Sequence, residues 1–293
     1  MSSQEGAIRT PPHHLTVDVE EYFHVSALER YVPRSRWPAM ESRLRWSMDR
    51  LLAILDEADV RATFFVLGMV AEEHPELIRE LAEAGHEVAS HGWDHRRATE
   101  MSREEFRRQA RRSREFLQEL TSRPVLGYRA PSFSIVPGGE WALEILVEEG
   151  YRYDSSLYPV RRPGYGYPRG SRTVVTLELE AGPLVEVPPA TLRMVGVNLP
   201  AGGGGSLRHL PLSLIRRALR SLEKEGEPGT LYLHPWELDP EQPRVPGVGA
   251  VTSLRHYGGL ARTEPRLRAL LEEFRFRPIA ASLDGAATQG VGP

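Results

Sequence analysis

The stretch ATFFVLGMVAEEHPELIRELAEAGHEVASH, residues 62–91, contains a strand, a helix and a second strand in one continuous run. Its first segment, ATFFVLG, is rich in aromatic and β-branched side chains, which is typical of a buried strand, and EVASH at its end is predicted as another strand. Between them, residues 74–86 place apolar side chains at helical spacing, with Pro75 in the first turn and Gly85 at the end. This unit predicts two parallel strands joined by a helical crossover.

The same alternation extends to both sides of this unit. A capping box, Ser102 with Glu105, predicts the start of one further helix. Strands are predicted at residues 14–20, 62–68, 87–91 and 124–130, and helices at residues 42–58, 74–86, 103–120 and 139–150. Alternating strands and helices favour an α/β fold with a parallel sheet, either open or closed into a barrel.

The second half of the chain is less regular. A Pro/Gly/Tyr-rich loop follows Tyr158, and the glycines of residues 200–205 predict a turn or a flexible flap. Strands are predicted at residues 173–179, 184–188, 192–197 and 229–237, and helices at residues 212–226 and 264–276. No linker interrupts these elements, so we expect a single domain at residues 13–285 between flexible tails at residues 1–12 and 286–293.

The composition limits the classes of partner and of metal site. The chain has 293 residues, 40% of them hydrophobic, and a net charge of −3, which gives no overall electrostatic reason to expect a nucleic acid or an anionic membrane as partner. It has no cysteine, so any metal site must use histidine, carboxylate and water. No apolar stretch is long enough to span a bilayer and no leader is recognisable, so we expect a cytoplasmic protein.

Unusual polar residues follow several of the predicted strands. Asp18 and Glu20 end the first strand, His91 follows the third, and Arg129 and His234 follow later ones. Reactive residues of parallel sheets and barrels collect at the carboxyl ends of the strands, so we expect these side chains to meet there.

The stretch SHGWDH, residues 90–95, predicts a metal site. His91 and His95 are four residues apart and lie on one face if the segment forms a helical turn, so both imidazoles can reach one ion. A carboxylate is expected as the third ligand, with open positions for water and substrate.

Four motifs in order, TVDVEE, SHGWDH, YRAPSF and LYLHPWE, resemble those of the NodB-type polysaccharide deacetylases, carbohydrate esterase family 4. The segments at about residues 198–285 resemble the carboxyl-terminal extension of the subfamily associated with exosortase exopolysaccharide loci. The resemblance implies a distorted (β/α) barrel with fewer than eight regular strands. It also implies one divalent metal ion and hydrolysis of the N-acetyl group of an oligo- or polysaccharide. Zinc is the default metal, and manganese, cobalt, nickel or iron also suit such ligands.

The first motif departs from the family pattern, which has two adjacent aspartates. Asp18 and Glu20 point to the same side of a strand. On this basis Asp18 is assigned as general base and Glu20 as metal ligand with His91 and His95, while Glu21 stays open as the alternative ligand.

The resemblance implies roles for the remaining motif residues. Arg129 pairs with the Asp18 carboxylate, and the backbone N–H of Ser132 stabilises the tetrahedral intermediate. His234 protonates the departing amine, and Asp154 orients His234.

Aromatic side chains near the motifs are predicted substrate contacts. Trp93, Phe133 and Trp236 could form apolar walls against a sugar ring or an acetyl methyl group, with core packing as the alternative for the two tryptophans. For His24 and His256, core packing is favoured over a place in the sugar site.

The predicted activity is therefore release of acetate from an N-acetylated saccharide in exopolysaccharide biosynthesis. Two alternatives stay open. One is a hydrolase of cyclic amides or small esters on the same scaffold, and the other is a saccharide-binding protein without catalysis. The sequence does not specify an oligomeric state.

Overall fold

A curled, mostly parallel β-sheet forms the centre of the protein. The computed structural model describes residues 10–162 and 164–286. The strands are β1 His13–Val19, β2 Thr63–Val66, β3 Glu87–Ser90, β4 Gly127–Tyr128, β5 Tyr153–Asp154, β6 Val175–Leu179, β7 Gly182–Glu186, β8 Thr191–Met194, β9 Val197–Pro200, β10 Thr230–Leu233 and β11 Phe276–Arg277.

The helices pack around this sheet. They are α1 Leu44–Glu57, α2 Gly68–Glu73, α3 Pro75–Glu83, α4 Arg103–Thr121, α5 Trp141–Glu148, α6 Gly204–His209, α7 Leu212–Lys224, α8 Ala250–Tyr257, α9 Thr263–Glu273 and α10 Ala280–Ala286. The predicted capping box of α4 is confirmed, since the backbone N–H of Glu105 donates to Oγ of Ser102 at 3.3 Å and the N–H of Ser102 to Glu105 at 2.9 Å.

The strand order places the ends of consecutive strands side by side. The main sheet runs β10-β1-β2-β3-β4-β5-β7-β6, and β11 pairs with β1. The strands from β10 to β7 along this order are parallel to their neighbours, and only β6 is antiparallel to its partner β7. The carboxyl ends of β1, β3, β4 and β10 therefore lie at one edge, where the predicted site residues follow them.

The curl of the sheet returns the chain to its first edge. After β7, two isolated bridges join the chain to β10. Pro189 pairs with Thr230 of β10, and Gly203 pairs with Tyr232 of β10. With β11, eight of the nine strands in this sheet are parallel to a neighbour, and the irregular bridges continue its curl. The predicted α/β fold with a distorted, barrel-like sheet is confirmed.

The prediction of a flexible flap for the glycine-rich segment, residues 200–205, is wrong. Instead of a flexible flap, Gly202 and Gly203 are buried beside β10, and Gly204 begins α6. A Cβ on Gly202 would lie 2.6 Å from the carbonyl oxygen of Thr230, and one on Gly204 would overlap the carboxylate of Glu237. The glycines are therefore explained by close packing rather than by flexibility.

Both halves of the chain build the same sheet. β1 is buried along its whole length and pairs with β2, and also with β10 and β11 from the far end of the chain. The predicted tails lie largely outside the described residues. Among the helices that the structure describes, none combines the length and the apolar character needed to cross a bilayer.

Candidate active site

Two histidines meet in the loop that follows β3. The residues from His91 to His95 form a loop with left-handed backbone at Gly92 (φ 78°) and His95 (φ 61°), not the predicted helical turn. A non-glycine residue in this region costs free energy and persists where the surroundings hold it, often at a functional site. The loop geometry turns both imidazole rings toward the end of β1.

Glu20 completes a three-residue cluster with these histidines. Glu20, His91 and His95 each offer one ligand atom, and these atoms lie within 4.8 Å of one another. Nε2 of His95 lies 2.8 Å from Oε2 of Glu20, yet this buried oxygen has no hydrogen-bond partner among the described residues. Atoms that converge without forming a hydrogen bond are the arrangement expected of ligands that share one cation.

The protonation states suit metal binding. Nδ1–H of His91 donates to the carbonyl oxygen of Arg129 at 2.8 Å, which leaves the Nε2 lone pair for a ligand. Burial lowers the pKa of His91 to about 4, so the ring is neutral at pH 7. Burial alone would raise the pKa of Glu20, but the electrostatic effect of the nearby imidazoles of His95, His234 and His91 outweighs burial and lowers that pKa. The set therefore fits a divalent cation that accepts nitrogen and oxygen ligands.

Glu21, the alternative carboxylate ligand, forms hydrogen bonds at the start of α1 instead. Its Oε1 accepts the backbone N–H groups of Arg43 at 3.0 Å and of Leu44 at 3.1 Å, at the start of α1. A carboxylate at this position satisfies free N–H groups of the first turn and complements the helix dipole. The structure therefore favours Glu20 over Glu21 as the carboxylate ligand.

Asp18 is held by a buried arginine. Nη1 of Arg129 lies 2.6 Å from Oδ1 of Asp18 and 2.9 Å from Oγ1 of Thr16, while Nη2 donates to Oγ of Ser155 at 2.8 Å. Arg129 is completely buried, and its guanidinium lies 4.1 Å from the ring centre of Phe65. The contact uses one guanidinium nitrogen and one carboxylate oxygen, and Oδ2 of Asp18 lies 4.0 Å from Nε2 of His234.

His234 lies beside Glu20 and Asp18. Its Nε2 is 3.2 Å from Oε1 of Glu20 and 4.0 Å from Oδ2 of Asp18. Its Nδ1–H donates to Oε2 of Glu237 at 3.0 Å, and Glu237 in turn pairs with Nε of Arg208 at 2.7 Å. Burial alone would lower the pKa of His234, but the bond to Glu237 and the charges of the nearby carboxylates raise it to about 9. A protonated imidazole suits donation to a leaving group.

The prediction that Asp154 orients His234 is wrong. In the described structure, the Asp154 carboxylate accepts the backbone N–H of Ser156 at 2.9 Å and its hydroxyl at 2.6 Å, and lies beside Glu186. Oγ of Ser156 accepts the backbone N–H of Ala130 at 2.8 Å, so Asp154 supports the turn after β4. The strand ends at Leu233 and not at residue 237 as predicted, and the i,i+3 spacing of His234 and Glu237 around Pro235 was the sequence signal for the true partner.

Ser132 lies in the turn that Asp154 supports. Ser132 (φ 57°) and Phe133 (φ 51°) both have left-handed backbone in the short 3₁₀ turn Pro131–Phe133. Oγ of Ser132 contacts Oγ of Ser26 at 2.6 Å, and the Phe133 ring packs on Tyr232 at 4.9 Å between centres. The oxyanion role of the Ser132 N–H and the substrate role of Phe133 stay predictions.

Neither tryptophan forms the predicted wall of a sugar site. Trp93 lies against Gly68 of α2, and the guanidinium of Arg112 in α4 lies 3.3 Å from the centre of its ring. Trp236 is 4% exposed and is stacked between His234 and His256, with ring centres 5.2 and 4.5 Å away. Both side chains serve packing, which corrects their assignment as substrate contacts.

The two uncertain histidines are buried. Nδ1 of His24 accepts the backbone N–H of Glu21 at 3.2 Å, and its ring centre is 6.3 Å from that of His95. Nε2 of His256 contacts Oε1 of Gln242 at 2.9 Å, behind Trp236. Burial lowers the pKa of each to about 3, which agrees with neutral packing residues around the site.

Two family profiles match the chain. Residues 45–151 match Polysaccharide deacetylase, and residues 155–284 match a domain of unknown function, DUF3473. The chain therefore contains a polysaccharide deacetylase domain followed by a DUF3473 region. His234 and Glu237 lie in the second region, so the cluster described above draws on more of the chain than the deacetylase match.

Curated relatives share part of the chain. A peptidoglycan deacetylase of Helicobacter pylori is 32% identical over 110 residues, which cover 37% of this chain and 36% of the relative. A peptidoglycan-N-acetylglucosamine deacetylase of Bacillus cereus is 33% identical over 102 residues, 32% of this chain and 35% of the relative. A chitooligosaccharide deacetylase of Sinorhizobium fredii is 34% identical over 100 residues, 33% of this chain and 42% of the relative. The chain spans less than half the length of each.

Solved structures share the fold over nearly the whole chain. A crystal structure from Mycobacterium smegmatis, described as a candidate polysaccharide deacetylase, has a TM-score of 0.64 at 21% identity and covers 100% of this chain and 95% of that one. The structure of Puue allantoinase has a TM-score of 0.60 at 17% identity and covers 97% of this chain and 96% of that one. At these identities the likeness shows the fold.

Proposed function

We propose that this protein is a metal-dependent amidohydrolase that removes the acetyl group from an N-acetylated saccharide and releases acetate. The observation that carries the proposal is the convergence of Glu20, His91 and His95, with Asp18 and His234 beside them. The deacetylase domain and the names of the curated relatives support an amide bond of an N-acetyl sugar as the target.

The cluster residues would hold the ion. A bound divalent cation supplies Lewis-acid polarisation of the amide carbonyl and activation of water. Glu20 is deprotonated and His91 is neutral, so both are ready to bind without proton release. The absence of cysteine leaves a nitrogen and oxygen ligand set, for which zinc is our proposal and manganese, cobalt, nickel or iron are alternatives.

The flanking residues would move the protons. Asp18, fixed by Arg129, takes a proton from the attacking water, and the backbone N–H of Ser132 stabilises the oxygen that becomes negative. His234 then donates its Nε2 proton to the amine as the carbon–nitrogen bond breaks. The products are acetate and a free amino sugar, which balances one water against one amide bond.

The proposal extends to the biological setting. A role in exopolysaccharide biosynthesis depends on the resemblance of residues 198–285 to the exosortase-associated subfamily. The cytoplasmic location stays a prediction from the sequence.

Acetate release tests the activity. The purified protein is incubated with N-acetylated chitooligosaccharides, and product masses and free acetate are measured before chelation, after chelation and after return of Zn²⁺. We expect a mass loss of one acetyl group per reacted sugar, abolished by chelation and restored by the metal. Hydrolysis of cyclic ureides or small esters without acetate release would favour another hydrolase, and tight saccharide binding without turnover would favour a binding protein.

A further inference from the structure

The β8–β9 hairpin carries an exposed apolar end. Paired residues of this hairpin share a face, and the pairs Leu192–Leu199 and Met194–Val197 place four apolar side chains on the same face. Leu192 is buried in a cluster with Ala218 of α7, whereas the other three residues of this face are exposed. The apolar face therefore begins in the core and continues into solvent.

The turn of this hairpin contains a residue type that its backbone conformation disfavours. Val195 and Gly196 both have positive φ, 48° and 78°, as a tight hairpin turn requires. Asparagine, aspartate or glycine is favoured at the first of these positions, and a β-branched residue there is strained. Val195 is also fully exposed. Nothing in the packing of the described chain explains why an exposed, strained position holds an apolar side chain.

The hairpin and the loop bonded to it carry arginines and no acidic residue. The sequence has no aspartate or glutamate in residues 155–177 and none between Glu186 and Glu223. Arg193 is exposed on the opposite face of the hairpin, beside the cross-strand partner Asn198. The Asn198 side chain donates to the carbonyl oxygen of Pro159 at 3.0 Å, which joins the hairpin to the loop that carries the exposed Arg161 and Arg162. The net charge of −3 for the whole chain conceals this local positive surface.

A series of contacts connects the hairpin with the candidate active site. Pro159 follows Tyr158, whose ring packs on Phe133 at 5.2 Å between centres. Phe133 belongs to the turn after Arg129, and Tyr232 beside it precedes His234 by two residues.

We propose that residues 193–199 dock on a lipid bilayer with an anionic surface. Val195, Met194 and Val197 would enter the headgroup region, and Arg161, Arg162 and Arg193 would lie among the anionic headgroups. An apolar end flanked by cations is the pattern of interfacial membrane binding, in which apolar burial and electrostatic attraction add. The proposal is independent of the reaction that the site catalyses.

Vesicle sedimentation tests the proposal with the full chain. Binding is measured to vesicles of phosphatidylglycerol with phosphatidylcholine, and to vesicles of phosphatidylcholine alone. We expect binding to the anionic vesicles, weakened by salt, and lower binding to the neutral ones. Val195→Asn should lower the partition to anionic vesicles about tenfold, because one large apolar group no longer leaves water.

The variant also controls for folding. Asparagine suits the turn better than valine, so Val195→Asn should keep or raise the melting temperature while binding is lost. Val195→Leu keeps the apolar contact and should bind as the wild type does. Three results would overturn the proposal: no binding of the wild type to anionic vesicles at low salt, equal binding of Val195→Asn and the wild type, or self-association through the hairpin, seen as a dimer that Val195→Asn makes monomeric.

Discussion

Nδ1 of His234 lies 3.0 Å from Oε2 of Glu237, and Glu237 is itself paired with Arg208 at 2.7 Å. Burial alone would raise the pKa of Glu237, but Arg208 and His234 lower it to about 2, so the carboxylate is charged when it faces the imidazole. A charged acceptor fixes the tautomer and the orientation of the ring. All three residues lie in the DUF3473 region, so that region contributes to the candidate site together with residues before and within the deacetylase match.

Replacement of Glu237 should therefore impair catalysis more than binding. Glu237→Gln keeps the shape but removes the charge that holds His234, so we expect kcat to fall about 100-fold with KM and metal content nearly unchanged. Steady-state kinetics and metal analysis of the same preparation measure this. The exposed Glu241→Gln, nearby in the chain, is the matched control and should retain activity. An unchanged kcat in Glu237→Gln would remove Glu237 from the positioning of His234.

The two adjacent glutamates should separate into two roles. Glu20→Ala removes a member of the cluster and should abolish stoichiometric metal binding. Glu21→Ala should keep the metal but lower the free energy of unfolding by about 1 kcal/mol, because the start of α1 loses its acceptor. Metal content and urea unfolding of both variants distinguish these outcomes. Loss of metal from Glu21→Ala alone would reverse the assignment.

The buried pair of Asp18 and Arg129 should be sensitive to the loss of one partner. Arg129→Met leaves the Asp18 carboxylate buried without its cation and should cost about 3–5 kcal/mol of unfolding free energy. Arg45→Met removes an arginine from exposed ion pairs with Asp49 and Glu80 and should cost less than about 1 kcal/mol. Urea unfolding measures the loss of unfolding free energy in both variants. Equal losses would show that the buried pair contributes no more to stability than the exposed pairs do.

Stability should fall in mild acid because buried histidines are neutral. Burial, with the charges of Arg277 and His13, lowers the pKa of His14 to about 3. The unfolded chain, with a histidine pKa of about 6.5, then binds more protons, so this contribution is complete above pH 6.5 and is lost as the pH falls toward 3. At pH 5 the loss from His14 amounts to about 2 kcal/mol.

His14→Gln isolates this contribution. The neutral glutamine cannot gain the proton, so the difference in unfolding free energy between pH 7 and pH 5 should shrink by about 2 kcal/mol relative to the wild type. Denaturant titrations at the two pH values measure it. An identical pH dependence in variant and wild type would mean that His14 is not protonated on unfolding.

The alternation of strand and helix patterns in the sequence predicted the α/β fold. The polar residues that follow the strands predicted where the site lies. Asp18, Glu20, His91, Arg129 and His234 were expected at the carboxyl edge, and the parallel order of β1, β3, β4 and β10 brings them together there. These positions could be predicted because the order of the parallel strands determines the backbone position of a residue at a strand end. The conformation of the neighbouring loops does not change that position.

The errors concern side-chain directions and contacts between distant segments. Asp154 accepts a hydrogen bond from Ser156 rather than from His234, and Trp93 packs against Arg112 of α4. Both errors arise because the direction of a side chain at or beyond a strand end depends on the loop geometry. Gly204 was assigned to a turn or a flexible flap because its buried neighbour Glu237 is 33 residues away in the chain. Local propensity carries no information on such a contact.

Metal content per chain tests the central claim most directly, since it requires no assumption about the substrate. Plasma mass spectrometry is applied to the wild type, His91→Ala and His95→Ala after identical purification and incubation with divalent ions. The account predicts about one equivalent of metal in the wild type and its loss in both variants. A wild type that stays free of metal, or variants that retain a full equivalent, would contradict it.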